Sequence, residues 1–356
     1  MKIVLLSPEL FRAEGGIARI MRLYLKALCE LCGPGGRVNS LALNDRDEPP
    51  TGLSRYSNGR LVAHRGADRR KSRFVWHAIR LARDADWVVC GHIGQLVAAK
   101  LARIGNPSLR YALVAHGIEV WRPFTGLERW SLRGAERILC ISEYTRRQLL
   151  RFCPGLDPAR LVVVPNTLDP QLAQNLRASS AATPIILSVG RLVRADAYKG
   201  FDTLIEAMPA VTRNAPAVQL RIVGTGDDLP RLQALARQLG VENKVTFLGA
   251  LPDEQLAEEY AGCSVFALPS RREGFGLVYL EAMIRGKACI GARAGGTPEV
   301  ITGQTGILVE YGNVPELAAA VTDLLRQPND SEIVRRHAET FAFPHFVNRL
   351  AQALRN

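Results

Sequence analysis

The chain has 356 residues, 47% of them hydrophobic, with a formal net charge of +12. At roughly 150 residues per domain this length predicts two domains, and no apolar run approaches the roughly 20 residues of a membrane span. Seven scattered cysteines, an odd number, fit a reducing cytoplasm rather than a disulfide framework.

The N-terminal run Met1–Pro8 is too short for a signal peptide and reads as a first strand. Strand-like apolar runs then alternate with amphipathic segments along the whole chain, the pattern of two doubly wound α/β domains. In the first half the expected strands are Lys2–Ser7, Val38–Leu43, Leu61–Ala63, Trp87–Cys90, Arg110–Ala115, Ile138–Ile141 and Leu161–Val164. In the second they are Ile185–Val189, Gln219–Val223, Val245–Leu248, Val265–Leu268, Ala288–Ala292 and Gly306–Val309. The boundary is expected near Pro165–Pro170 and the polar run 178–184, which gives domains 1–170 and 171–342.

Charge divides along the same line. Residues 1–178 carry 28 Lys and Arg against 15 Asp and Glu, a net +13, and residues 179–356 carry 18 against 19, a net −1. Such asymmetry predicts an anionic partner for the first half. The segment Arg69–Arg83 interleaves arginines with Phe74, Trp76, Ile79 and Leu81, which suits a basic helix on an anionic membrane. Its alternative is a helix whose apolar face packs on a sheet. Arg146, Arg147 and Arg151 add a second basic helical face. No nucleic-acid motif accompanies this charge.

Several loops carry residues suited to chemistry. Glu14-Gly15-Gly16 precedes an amphipathic helix, and two glycines there allow backbone to approach a phosphate. A plain turn is the alternative, and the absence of G-x-G-x-x-G argues against a dehydrogenase. His92 and His116 follow buried strands, where ligands of open α/β sheets gather; a lone histidine there is also a common structural residue. His64, His77, His337 and His345 read as incidental. Cys29 and Cys32 lie on a helix with no second ligand pair, and no His, Cys and Asp set has metal-ligand spacing, so neither a metal nor another cofactor is expected.

In the second half, Arg191 follows a strand and Lys199 opens a helix, a guanidinium fork and a point charge suited to a diphosphate. The strand Ser264–Pro269 leads into Glu273-Gly274-Phe275-Gly276, and a helix is expected from Leu277 to Arg285, closed by Gly286. Gly274 and Gly276 permit close approach, and the N–H groups of Phe275, Gly276 and Leu277 lack intrahelical partners. With Glu281 inside the helix, phosphate donors lie between two carboxylates. That order suits a nucleotide sugar: sugar, diphosphate, ribose.

The stretch Glu273-Gly-Phe-Gly-x4-Glu281-Ala resembles the Glu-x7-Glu signature of the retaining glycosyltransferases of family four, which have the GT-B fold. The resemblance implies two Rossmann-like domains facing a deep interdomain cleft, with a C-terminal helix at about 343–356 crossing back to the first domain. It implies that Glu273 approaches the donor sugar and Glu281 binds the ribose. Arg191 and Lys199 would hold the diphosphate, although the seven-residue loop between them is longer than in many relatives. Gly15 and Gly16 would face the diphosphate and His116 the sugar. Gly224 would match the Gly-x-Gly turn after the next strand, and Leu248 the region beside the base. The implied activity is retaining transfer of a hexose from a UDP- or GDP-sugar, without a metal, to a glycan or lipid-linked acceptor in the cytoplasm or on the inner membrane face. A nucleotide-sugar epimerase and a basic nucleic-acid-binding module are the alternatives.

Overall fold

The computed structural model describes residues 1–12, 15–48, 50–171 and 183–355. Glu14 and positions 178–182 of the expected linker lie outside the described residues. The chain divides into two compact units, Met1–Thr167 with Phe343–Asn356, and Leu168–Ala342.

The first unit is a parallel sheet of seven strands: β1 (Lys2–Ser7), β2 (Arg37–Ala42), β3 (Leu61–Gly66), β4 (Trp87–Cys90), β5 (Arg110–Ala115), β6 (Arg137–Cys140) and β7 (Leu161–Val163). Their order is β3-β2-β1-β4-β5-β6-β7, and Ile3 pairs with Val38 on one side and Trp87 on the other. Helices cover the sheet, so its inner strands β1, β4, β5 and β6 are buried on both faces and read as apolar runs, while the edge strand β3 is only partly buried. α1 (Gly16–Leu31), α2 (Lys71–Ala82), α3 (Leu96–Gly105), α4 (Gly126–Leu132) and α5 (Glu143–Phe152) follow in chain order.

α2 decides the reading of the basic segment. Phe74, Ala78 and Ala82 enter the core, and Val75, Ile79 and Leu81 pack against it. The apolar face is therefore committed to the sheet, the second of the two readings this segment allows. What remains outside is basic, with Trp76 56% exposed and the Arg80 guanidinium 5.3 Å from its ring centre.

The second unit is a parallel sheet of six strands in the order β10-β9-β8-β11-β12-β13. These are β8 (Ile185–Val189), β9 (Gln219–Val223), β10 (Val245–Gly249), β11 (Val265–Leu268), β12 (Cys289–Ala292) and β13 (Gly306–Val309). The described helices here are α6 (Phe201–Asn214), α7 (Leu229–Gln238), α8 (Asp253–Gly262), α9 (Leu277–Met283), α10 (Val314–Arg326) and α11 (Ser331–Glu339). The last helix, α12 (Phe343–Arg355), belongs to the first unit: Phe346, fully buried, meets Tyr24 of α1 edge-on at 4.9 Å. Burying such a ring contributes about 2 to 3 kcal/mol. No described helix is long and apolar enough to cross a membrane.

The strand orders locate where ligands can enter. Each sheet is built outward in two directions from a central pair, β1 and β4 in the first unit and β8 and β11 in the second. Loops leaving the carboxyl ends of such a pair diverge and open a crevice. The loops at these points contain Gly15 and His92 in one unit, and Arg191, Lys199 and Glu273 in the other.

Candidate active site

In the second unit, β8 ends at Gly190 and the next residue, Arg191, keeps 69% of its side chain exposed. Its Nη2 lies 2.8 Å from Oδ2 of Asp196, an ion pair without hydrogen-bond alignment. Asp196 is buried, and Tyr198 donates its hydroxyl to Asp196 Oδ1 at 2.9 Å. Burial, reinforced by that bond to a carboxylate, pushes the Tyr198 phenol up to about 12. The loop then turns at Gly200, where φ is +78° and a Cβ would meet the Pro269 carbonyl at 2.6 Å. The Arg271 N–H donates to the Tyr198 carbonyl at 2.8 Å. These two contacts fasten the loop after β8 to the loop after β11. Lys199 Nζ consequently sits 3.8 Å from Glu273 Oε2, with both side chains under 20% exposed. The long loop between Arg191 and Lys199 therefore leaves Lys199 within reach.

Glu273 is held from behind. Its carbonyl accepts from the Gly296 N–H at 2.8 Å, and a Cβ on Gly295 would lie 2.3 Å from that oxygen. Gly276 adopts φ +94° and caps α9, with Tyr279 pressed so close that a Cβ would stand 2.2 Å from its ring. The Tyr279 hydroxyl donates to the Leu268 carbonyl at 2.6 Å and so ties α9 to the end of β11. No carbonyl of the described chain takes the N–H groups of Phe275, Gly276 or Leu277. α9 ends at Met283 rather than Arg285, with turns through Arg285 to Gly286 at φ +71°.

Glu281 is 6% exposed, and its Oε2 accepts from the Tyr260 hydroxyl at 2.7 Å. Arg285 donates from Nη1 to the Glu281 carbonyl at 2.8 Å and lies 5.8 Å from the Tyr260 ring centre. Burial lowers the Arg285 pKa, opposed by the charges of Glu281 and Tyr260. Other expected residues serve the site indirectly. Phe275 is 2% exposed and packs on Phe341, so it offers a ligand only its backbone. Gly224 lies against Gly190, whose carbonyl a Cβ would meet at 1.8 Å, so the chain itself requires that glycine. Leu248 is half-buried at a bulge on the edge strand β10, and Gly274 is also half-buried.

In the first unit, Gly15 caps α1 with extended backbone (φ −160°), and a Cβ at Gly15 or Gly16 would meet nothing within 4 Å. The preceding loop is wrapped around Asp45, whose carboxylate accepts from the N–H groups of Leu10, Phe11 and Arg12 at 3.1–3.2 Å. His64, expected to be incidental, is the buried partner of that carboxylate: its Nε2 lies 3.3 Å from Asp45 and its Nδ1 2.9 Å from Ser40 Oγ. Burial resists the charge on Asp45, yet the bonds from His64, Leu10 and Phe11 hold its carboxyl below the usual range.

His116 is buried, with Nε2 3.1 Å from the Gly91 carbonyl. A carbonyl can only accept, so Nε2 carries the proton and Nδ1 presents a lone pair. Burial, with the neighbouring His92 adding to it, pushes the ring down to about 4, so it is neutral at pH 7. His92 is engaged differently: its Nδ1 accepts the Gly94 N–H at 3.1 Å, and burial, then Arg122, lowers its pKa. Glu119 accepts the His116 N–H and is raised by burial.

The two sheets and their crevice loops define the GT-B fold, and comparison with known proteins gives the family. The model described as "Glycosyltransferase Family 4" matches residues 15–172, and "Glycosyl transferases group 1" matches residues 174–341. The chain belongs to glycosyltransferase family four. It is 36% identical over 258 residues to the GDP-mannose-dependent alpha-(1-6)-phosphatidylinositol monomannoside mannosyltransferase of Mycolicibacterium smegmatis, an alignment covering 65% of this chain and 66% of that one. It is 29% identical over 308 residues to alpha-maltose-1-phosphate synthase of the same organism, covering 75% and 76%. The chain thus spans just under two thirds of the length of the mannosyltransferase. Among solved structures, Anabaena HepE in complex with UDP and glucose superposes with a TM-score of 0.79 at 19% identity, over 99% of each chain. Sucrose-phosphate synthase of Thermosynechococcus elongatus does so with 0.77 at 22%, over 99% and 98%.

Proposed function

We propose that the chain transfers a hexose from a nucleoside-diphosphate sugar to an acceptor hydroxyl with retention of anomeric configuration. One observation carries this most directly: Lys199 stands 3.8 Å from Glu273 at the sheet's turning point, beside three amides that no described carbonyl takes and a buried Glu281 eight residues on. Cations and amides there suit a diphosphate, and the flanking carboxylates suit hydroxyls. Arg191, Lys199 and the amides of Phe275–Leu277 would stabilise the charge that develops on the leaving diphosphate, with Gly16 adding an N–H from the first unit. Glu273 would hold sugar hydroxyls and steady the cation-like anomeric carbon. Glu281 would accept from the ribose. His116, neutral, would accept a sugar hydroxyl proton at Nδ1. In a same-face displacement the bond from the anomeric carbon to phosphate breaks as the bond to the acceptor oxygen forms. The acceptor proton then passes to the leaving phosphate oxygen.

The GDP-mannose dependence of the mannosyltransferase relatives favours GDP-mannose among the donors, and UDP-hexoses come next. The +13 of residues 1–178 favours an acceptor carrying phosphate, lipid-linked or glycan, met at an anionic membrane surface. A thermal-shift screen of UDP-, GDP- and ADP-sugars tests the donor site. One nucleotide class should stabilise the fold, by about 2.7 kcal/mol at a hundred times its Kd. A screen in which no nucleotide sugar moves the transition sinks the reading. The anomeric configuration of the product, read by NMR, tests retention.

A further inference from the structure

We infer that Tyr260 is a positioning residue for nucleotide recognition: its hydroxyl fixes the Glu281 carboxylate so that it can accept from the ribose. This rests on the reading of Glu281 given above. A carboxylate 6% exposed needs partners, because an uncompensated buried charge costs several kcal/mol. Tyr260 donates to Oε2 at 2.7 Å, the short distance of a bond to an ionised acceptor. A hydroxyl has one proton to give, and here it goes to the carboxylate.

Tyr260 is itself immobilised. It is 2% exposed near the end of α8, and its ring packs on Phe266 of β11 at 5.7 Å. Arg285 lies over the same ring and binds the Glu281 carbonyl, so phenol, guanidinium and carboxylate form one packed group. An apolar filler would serve the packing equally well; what the hydroxyl adds is a donor to Glu281. With Oε2 fixed, the plane of the carboxylate is fixed, and that plane decides whether a vicinal diol can donate to it.

The test uses the full-length protein and two ligands: whichever of UDP or GDP binds more tightly, and its 2′,3′-dideoxy counterpart. Calorimetry gives the ratio of the two Kd values for wild type, Tyr260→Phe, Glu281→Gln and the double variant. Wild type should prefer the ribose form. Tyr260→Phe should weaken the ribose form about tenfold, the scale of a lost bond to a charged group, and move the dideoxy form less than twofold. In the Glu281→Gln background the added Tyr260→Phe should change the ratio less than twofold. Equal weakening of both ligands, an unchanged ratio, or a Tyr260→Phe chain that does not fold makes the hydroxyl merely structural and overturns the inference. A wild type that binds both ligands alike overturns the reading of Glu281 as well. A wild type that discriminates through Glu281, with Tyr260→Phe discriminating equally, removes only the role of Tyr260.

Discussion

The neutral, buried His116 makes a quantitative demand on stability. Its ring titrates near 6.5 in an unfolded chain and near 4 in the fold, where burial disfavours the charged form. The unfolded chain therefore takes up a proton before the fold does. Stability from this group is fully present above pH about 6.5 and is lost as the pH falls toward 4. Linkage gives a loss of about 2 kcal/mol between pH 7.5 and 5.0, rising to about 3 kcal/mol below both values. All four tryptophans, Trp76, Trp87, Trp121 and Trp130, lie in the first unit with His116, so urea unfolding followed by tryptophan emission reports that unit. The comparison is His116→Gln, whose amide can still donate to the Gly91 carbonyl. Asp45 and Glu128, whose carboxyls are held low by their partners, contribute equally to both proteins and cancel. Wild type should lose about 2 kcal/mol more than His116→Gln across this interval. Equal losses would refute the argument and place the proton on the folded ring near neutrality.

Three further outcomes are expected. Gly16→Val should leave the Tm unchanged within a few degrees, since among the described residues no atom beyond the adjoining chain lies within 4 Å of the new Cβ, while lowering transferase activity at least tenfold in a radiolabelled-donor assay; normal activity would disconnect the glycine from the donor. Gly276→Ala should cost about 3 kcal/mol in a circular-dichroism melt, combining a φ of +94° with a ring 2.2 Å from the Cβ, and a change below about 1 kcal/mol would contradict the geometry. Asp196→Asn should tighten inorganic pyrophosphate binding severalfold by freeing the Arg191 guanidinium, whereas weaker binding would make Asp196 an orienting partner instead of a competitor.

What the sequence discloses depends on the range of the interaction. The described strands are legible as apolar runs, most plainly the inner ones, β1, β4, β5, β6, β8, β11 and β12, which are buried on both faces. The boundaries drift where polarity misleads: the edge strand β3 continues through His64 and Arg65 to Gly66, three residues past the last apolar one expected. The motif residues stand out in the sequence by position: Arg191, Lys199 and Glu273 follow strands or precede a helix, and Glu281 stands eight residues on, inside the helix. Their partners are not. Tyr260 lies 21 residues from Glu281 and His64 19 from Asp45, on different elements, and nothing local marks a tyrosine or histidine destined to meet a buried carboxylate. The basic segment shows the opposite limit. Its periodicity correctly gives a helix with an apolar face, but a sheet and a membrane select the same pattern, and only the packing of Phe74, Ala78 and Ala82 decides between them.

The glycines separate structural necessity from function more sharply than the charged residues do. A charged side chain at a loop can be solvated for no purpose, but a glycine carries an entropic cost that needs a reason. At Gly224, Gly276 and Gly295 the reason is internal, because a Cβ would stand within 2.3 Å of a neighbouring carbonyl or ring. At Gly15 and Gly16 no such steric reason is seen: the backbone at Gly15 is open to any residue, and among the described residues no atom beyond the adjoining chain would lie within 4 Å of either Cβ. Inside a helix glycine is worth about 1 kcal/mol less than alanine, although at an N-cap such as Gly15 it is favoured over alanine. A ligand approaching the N-terminus of α1 more closely than a side chain allows would supply such a reason. A phosphate is the group a helix N-terminus attracts, so the expectation of a phosphate at Gly15 and Gly16 falls on backbone that the folding of the first unit leaves unconstrained.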